Sequence, residues 1–477
     1  MRKDYYQPSL SDIYEECKGF FDNDKPKFLT LLESTVNIAD FIPQTFYNAF
    51  HRRFGRDRVY PLEGFVSSVI LQKLFTIPRD SLLILFLTMS KELREFCGFD
   101  KVPDASKFTR FKQSFADQIE NLFYLLVDYT EPICREIDPV LSDMLIYDPS
   151  GIEAYVTENN PKFTNSLVRR LKTAYKNNPD VDPYSMAYGL MPSCAHASEN
   201  IKQMYINGHF CYAHKFGVAT NGMGIIRHIA FFDDDFKKKH PEIIIEKKSD
   251  SPEEDKSIGD STSLQPVLTD FFNVHPNFHY GTFLADASFD KGDHYTFLKD
   301  TCKFNKVLIP INERNSSSLP PVGYNEYGYP VCPNDSSLTM KRIGVTRGKG
   351  RTPRIKWGCP KVKMTKGKYV CSCEKPCSTA KFGRTAYTFD NYDFRLLPGI
   401  VRDSEEWVEL YKKRCAVERS INHFKTNMCV ADRKTRDPST TKADLLFAGI
   451  AQLFTVIVAH AIKYPKLCRS LKPLFVA

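Results

Sequence analysis

No Walker-type phosphate loop and no dinucleotide-binding glycine fingerprint occurs in the chain, which leaves an ATP-driven or redox role without support. No internal repeat is found either, so solenoids and tandem arrays are set aside. Uninterrupted apolar runs of membrane length are missing. The longest, Leu445 to Ile462, approaches the ~18 to 20 residues that a span requires, but Gln452, Thr455 and His460 interrupt it, and a helix buried inside a large domain is the expectation. LLILFLT at 82 to 88 is too short to span. The opening text, MRKDYYQPSLSDIYEEC, has no apolar stretch after its basic residues, so we expect no secretory signal and read the fourteen cysteines as reduced thiols.

What is present is size, aromatic content and positive charge. The 477 residues are 42% hydrophobic and 13% aromatic, enough for a large core and for two to four structural units, and this excludes disordered and fibrous classes. Lys and Arg number 66 against 57 Asp and Glu, a net charge of +9 that favours encounter with a polyanion without specifying a fold. The charge is unevenly distributed. HRRFGRDR (51–58) and KFTRFKQSF (107–115) are basic clusters, read either as solvated faces or as DNA contacts. Lys341 to Lys368 is rich in Lys and Arg and holds no acidic residue.

Residues 1–140 carry helix-period apolar patterns, such as Val66, Val69, Ile70 and Leu74, or Ile119, Leu122, Phe123 and Leu126. Pro26, Pro43, Pro61, Pro78, Pro103 and Pro132 are read as the breaks between several short helices. From 141 to 312 the pattern changes. MLIYDPSGIEAYV reads as a strand, and HFCYAHKFGVAT and GIIRHIAFF as a hairpin joined at Asn221-Gly222. DSTSLQPVLTDFFNVHP reads as a helix capped by Asp260 or Ser261, HYGTFLADASFD as a strand, KGDHYTFLKDTCK as a helix and NKVLIPIN as a strand. This order predicts an α/β layer fold with a mixed sheet. Residues 313–384 read as a basic, cysteine-containing, β-rich insertion, and 385–477 return to helix.

Three acidic residues fall where such a fold presents ligands: Asp148 and Asp286 at strand ends, and Glu418 in a late helix. Packed together they repel, which raises a pKa or recruits a divalent cation. Mg²⁺ suits them, because it takes a few carboxylates and fills its other positions with water and phosphate. Tyr411, Arg414, Glu418 and Lys425, at offsets −7, −4, 0 and +7, fall within roughly 60° of one face of a regular helix. This pattern aligns a carboxylate with phosphate-binding groups, although an exposed helix with an Arg-to-Glu pair accounts for it equally well.

The segment YKKRCAVERSINHFK has the spacing Tyr-x2-Arg-x3-Glu-x6-Lys, and here the chain resembles the DDE transposases of bacterial insertion sequences, those like insertion sequence family four. ADASFDKGDHYTFLK is similar to the region of their second aspartate and IYDPSGIEA to that of the first. The text from RVYPLEGFVSSVILQKLF through GFDKVPDASKFTRFKQSF is similar to their N-terminal helical domain. One departure is Pro-Ser-Gly after Asp148, where the family often has Gly-Thr. Asp290 and Asp293 are rivals to Asp286, and Asp143 to Asp148.

The resemblance implies an all-helical N-terminal DNA-binding domain, an RNase H-like catalytic core in which helices flank a mixed sheet, and a β-rich insertion before the glutamate helix. It makes Asp148, Asp286 and Glu418 the ligands of Mg²⁺, with Mn²⁺ as a substitute, and has Tyr411, Arg414 and Lys425 contact DNA phosphates. The insertion, through Arg347, Lys349, Arg351 and Arg354, and the N-terminal helices would bind double-stranded DNA at terminal inverted repeats and target. By analogy the working assembly is a homodimer on paired ends, away from membranes, at the nucleoid in the bacterial cytoplasm. A DNA-binding copy without turnover and a related nuclease that cuts without joining are the alternatives.

Cys332, Cys359, Cys371, Cys373 and Cys377 crowd the insertion without forming paired C-x2-C knuckles. Four thiolates, taken as Cys359, Cys371, Cys373 and Cys377, would close a tetrahedral Zn²⁺ site; unliganded thiols are the other reading.

Overall fold

The computed structural model describes residues 27–51, 57–176, 178, 180–206, 208–243, 257–312, 322–347, 353–365, 367–389 and 394–475. Lys349, Arg351 and most of the HRRFGRDR cluster lie outside them.

From 27 to 137 the described chain is helical. Pro43 and Pro61 stand immediately before the helices Gln44–Phe50 and Leu62–Leu74, where a missing N–H costs nothing. Pro132 departs from its expected role as a breaker: it lies inside α1 (Ala116–Ile137). The reason is burial, because Ile119, Leu122, Phe123, Leu126 and Ile133 bury one stripe of α1 and offset the roughly 3 kcal/mol that an interior proline costs.

The central sheet is built around β1 (Met144–Glu153). β2 (Ser198–Ile206) and β4 (Ile226–Phe231) both pair antiparallel with one edge of β3 (His209–Asn221), β2 along its first half and β4 along its second. The other edge of β3 pairs antiparallel with β1. On its far side β1 runs parallel to β5 (Thr282–Leu284), which is parallel to β6 (Lys306–Leu308). Alternation along β1 divides the core: Met144 and Ile146 face the helices of both chain ends, whereas Leu145 and Tyr147 face α2 (Asp260–Val274). The β3–β4 turn spans 222–225, with Asn221 Oδ1 accepting the N–H groups of Met223 and Ile225, so Asn-Gly opens a longer turn than a two-residue one. Helix α2 starts at Asp260 with Gly259 as its cap, in place of the expected side-chain cap.

After β6, short strands pair as Val331–Cys332 with Asp335–Thr339, and as Val362–Thr365 with Lys368–Cys371. Lys341–Thr346, Arg354–Gly358 and Thr385–Phe389 form a three-stranded sheet. The chain then becomes helical through α3 (Glu405–Tyr411), α4 (Cys415–Asn422) and α5 (Pro438–Ala461). α5 is long and apolar enough to cross a membrane, yet it is buried along nearly all of its apolar length against α1, Leu62–Leu74, Ala105–Ser114 and β4. Its Asp444 is also buried, within reach of Lys73 (3.2 Å), Lys112 (3.1 Å) and Arg433 (3.1 Å). Lys112 and Arg433 hold Asp80 as well, so five charged groups tie the N-terminal helices to the C-terminal end.

Candidate active site

Register brings the first two carboxylates together. Ile146 of β1 stands opposite Leu284 of β5, and two residues further along each strand come Asp148 and Asp286. The β5 pairing has ended there, and Asp286 turns to cap a 3₁₀ turn, accepting the Ser288 N–H at 2.8 Å. The third carboxylate arrives on the segment from α3 to α4. This is not the regular helix expected: a 3₁₀ turn (Lys412–Arg414) joins α3 to α4, and a π-helical turn (His423–Asn427) follows. Buried Ala416, Val417, Ser420 and Ile421 seat α4 against β1 and β3, leaving Glu418 on its open side.

Arg414 collects all three acids. Its guanidinium hydrogen-bonds Glu418 at 2.5 Å and lies 3.8 Å from Asp148 and 3.9 Å from Asp286. Exposure rises outward, from 18% for the Asp148 side chain to 37% for Asp286 and 52% for Glu418. Burial therefore raises the Asp148 pKa to about 7, with Asp286, Glu418 and Asp260 adding to the rise and Arg414 opposing it. Burial disfavours the charge on Arg414, but Asp148 and Glu418 outweigh it and its pKa is held above the ordinary value.

The two remaining groups of the motif border the same space. Lys425, in the π turn, donates to Ser150 Oγ at 2.9 Å, and burial lowers its pKa while Cys211 and Asp148 resist. Tyr411 donates to the Ala285 carbonyl at 3.4 Å, and burial raises its pKa, keeping the phenol protonated.

The rivals are engaged elsewhere. Asp290 is clasped by Arg395 through two hydrogen bonds at 2.8 and 2.6 Å. Asp143 lies at the other end of β1, near Arg135, and Asp293 is exposed on a short helix. Arg347 and Arg354 are exposed in the insertion. The sequence reading missed Asp260 as a neighbour of the site: Lys215 pairs with it at 2.7 Å, and its charge reaches Asp148. It also missed Glu153 as a neighbour of His209 and Cys211, whose interleaving along HFCYAHKF is visible in the sequence; potential ligand atoms of the three lie within 4.8 Å of one another. A cleft of about 1040 Å³ opens beyond the end of β1, bordered by Arg79, Leu85, Tyr155, Arg433 and Lys434. Asp260 and Glu153 gave no local signal, because the groups they approach are distant in sequence.

Residues 16–114 match a family model described as a transposase domain, DUF772. The N-terminal helical region is therefore similar to a transposase domain, and the match ends before Asp148. No curated protein matches the chain. Among solved structures, the cryo-EM piggyBac transposase synaptic complex with hairpin DNA is similar at a TM-score of 0.37 and 12% identity, over 95% of this chain and 80% of that one.

Proposed function

We propose that the chain is a DNA transposase whose RNase H-like core uses Asp148, Asp286 and Glu418 to hold Mg²⁺, or Mn²⁺ in its place. It cuts phosphodiester bonds at the ends of an insertion sequence and joins the freed ends to target DNA. The observation that carries this reading is the convergence of three carboxylates, from three separate segments, on Arg414. They converge at the edge where parallel β1 and β5 stop pairing, the usual ligand position in an open α/β sheet. The strand order supports the RNase H-like reading: β1 is central, antiparallel β3 lies on one side, and parallel β5 and β6 on the other. The transposase-domain match of residues 16–114 supports the function.

The donor set fits the ion, since three carboxylates outnumber the one guanidinium that serves them and hard oxygen ligands suit Mg²⁺. Bound there, the ion supplies Lewis-acid polarisation of the scissile phosphate and activation of a water. The chain's own groups do the positioning. Arg414, once relieved of the carboxylates, grips a phosphate through its planar fork; Lys425 acts as a point charge, and protonated Tyr411 donates a hydrogen bond. Water attacks phosphorus and gives up a proton as the P–O3′ bond breaks and O3′ takes one up; the released 3′-hydroxyl then attacks a target phosphodiester in line and expels that phosphate's own 3′ oxygen, which leaves as a hydroxyl, without a covalent enzyme intermediate. The N-terminal helices and the basic insertion contribute phosphate contacts, two chains act on paired ends, and the work is done at the bacterial nucleoid.

The test uses purified wild type and Glu418→Gln with a labelled duplex carrying the element's terminal sequence, in Mg²⁺ or EDTA. We expect Mg²⁺-dependent cutting and joining by wild type alone. Binding without cutting favours a DNA-binding protein, cutting without joining a nuclease, and equal activity of the variant removes Glu418 from the site.

A further inference from the structure

Away from the carboxylate cluster, Glu153, His209 and Cys211 bring three potential metal ligands of different chemistry together. Strand alternation places them on one face of the sheet. His209, Cys211 and Ala213 occupy every second position of β3, and Ala213 stands directly opposite Glu153 of β1. Gly151, two residues before Glu153, lacks the Cβ that would collide with Ile206 and Met204 of β2, so these side chains lie over β1. Ile206 pairs with His209 and Met204 with Cys211, which carries both ligands toward the carboxylate.

The spacing suits a single ion. Ligands held at about 2.0 to 2.3 Å on a tetrahedral ion are separated from one another by roughly 3.3 to 3.6 Å. His209 Nε2 and Glu153 Oε2 are 3.5 Å apart, longer than the roughly 2.7 to 3.2 Å of a hydrogen bond, and the potential ligand atoms of all three residues lie within 4.8 Å of one another. A half-exposed His and Glu alone would be an ordinary surface contact.

The sulfur sets this pair apart. Cys211 is buried in a small cluster with Met204, Ala213 and Ile206, whereas His209 and Glu153 are open to solvent and leave an entry path. Burial and then Glu153 raise the pKa of the thiol, with Lys425 opposing; a coordinating divalent ion outweighs them, because it displaces the thiol proton outright.

We propose that Glu153, His209 and Cys211 bind one Zn²⁺, with water in its fourth position, and that the ion clips the end of the β2–β3 hairpin to the end of β1. One thiolate, one imidazole and one carboxylate suit borderline Zn²⁺ and not Mg²⁺, which prefers oxygen. Glu153 lies five residues beyond Asp148 on the same strand, about 16 Å away at ~3.3 Å per residue. The two sites therefore share no ligand, and the inference is independent of how the carboxylate cluster is read.

The experiment titrates Zn²⁺ into the full-length protein, stripped with a chelator and kept reduced, and counts bound equivalents by equilibrium dialysis and plasma mass spectrometry. His209→Ala and Cys211→Ala are compared with wild type. We expect wild type to bind one equivalent more than either variant. The same difference is expected between Asp148→Asn and the Asp148→Asn, His209→Ala double variant, which separates this site from the carboxylate cluster. Glu153→Gln should weaken that equivalent by at least about tenfold. Where Cys211→Ala fails to fold, the exposed His209→Ala carries the count, and the Co²⁺ spectrum of wild type minus that of His209→Ala should show sulfur-to-cobalt charge transfer. Hydrogen exchange in the β2–β3 hairpin should slow with Zn²⁺ in wild type and not in His209→Ala. Equal stoichiometry in wild type and His209→Ala, a difference that vanishes in the Asp148→Asn background, a difference spectrum without a thiolate band, or zinc-insensitive exchange would each overturn the proposal.

Discussion

Arg414 donates a hydrogen bond to Glu418 one helical turn along the chain, and the same guanidinium lies within 4 Å of Asp148 and Asp286. Arg414 therefore carries positive charge at the point where three carboxylates meet, with Lys425 bordering the same space. It is at once their counterion and a competitor for any cation they bind.

Removing that competitor separates affinity from turnover. We expect Arg414→Ala to bind Mg²⁺ at least several-fold more tightly than wild type, since a tenfold change corresponds to about 1.4 kcal/mol. Cleavage should nevertheless fall by about 100-fold, because the phosphate loses its bidentate donor. Isothermal titration of the metal and a gel assay of cleavage read the two effects, and equal Mg²⁺ affinity in the two proteins would count against competition.

The buried charge network supplies a stability prediction. Asp444 faces Lys73, Lys112 and Arg433, and among the described residues Asp80 shares the task of balancing Lys112 and Arg433. Asp444→Asn should cost about 3 to 5 kcal/mol in urea denaturation, because it strands buried positive charge. Adding Lys73→Met, which removes a cation whose pKa burial has already lowered to about 8, should restore part of the loss. A Lys73→Met double variant no more stable than the single one would assign the role to Lys112 and Arg433 alone.

The same network fixes an acid dependence. Burial acts to raise the Asp80 pKa, but Lys112 and Arg433 outweigh it and hold the value at about 2 against an ordinary 3.8. A carboxylate with a depressed folded pKa stabilises the fold above its unfolded pKa and loses that contribution as pH falls toward the folded one. Asp80 should therefore contribute about 2 kcal/mol at neutral pH that disappears between pH ~4 and ~2. Asp80→Asn should be less stable at pH 6 and show a flatter urea midpoint from pH 5 to 3; parallel profiles for the two proteins would remove Asp80 as the cause.

Gly399 tests how the site is held in place. It follows the Pro398 carbonyl that accepts the Val307 N–H of β6, has φ +89°, and a Cβ there would lie 1.9 Å from the Asn305 carbonyl oxygen. Gly399→Ala should destabilise by about 2 kcal/mol or more, through left-handed strain and a backbone clash, and loosen the approach of α3 and α4 to the sheet. A melting temperature within a degree of wild type would show that this junction yields freely.

Local signals in the sequence did much of the work. An apolar run marked β1, β-rich text marked β3, 3.6-period text marked α1, and acid residues just past apolar runs marked Asp148 and Asp286. The four-residue spacing from Arg414 to Glu418 was legible because one helical turn brings such residues together wherever the helix lies. The π turn around Lys425 was not legible, nor was the passage of Pro132 through α1, because each depends on what the chain packs against.

The amino-acid sequence by itself determined the acidic and basic groups available, the alternation that divides the two faces of β1, and the apolar length of α5. Only the tertiary structure decided that β1 pairs parallel with β5, so that Asp148 and Asp286 become neighbours. It also decided which elements bury α5, namely α1, Leu62–Leu74, Ala105–Ser114 and β4. The physical reason is the same in each case. Pairing register, burial and side-chain clustering are set by contacts between segments far apart in the chain, and no local pattern encodes the partner.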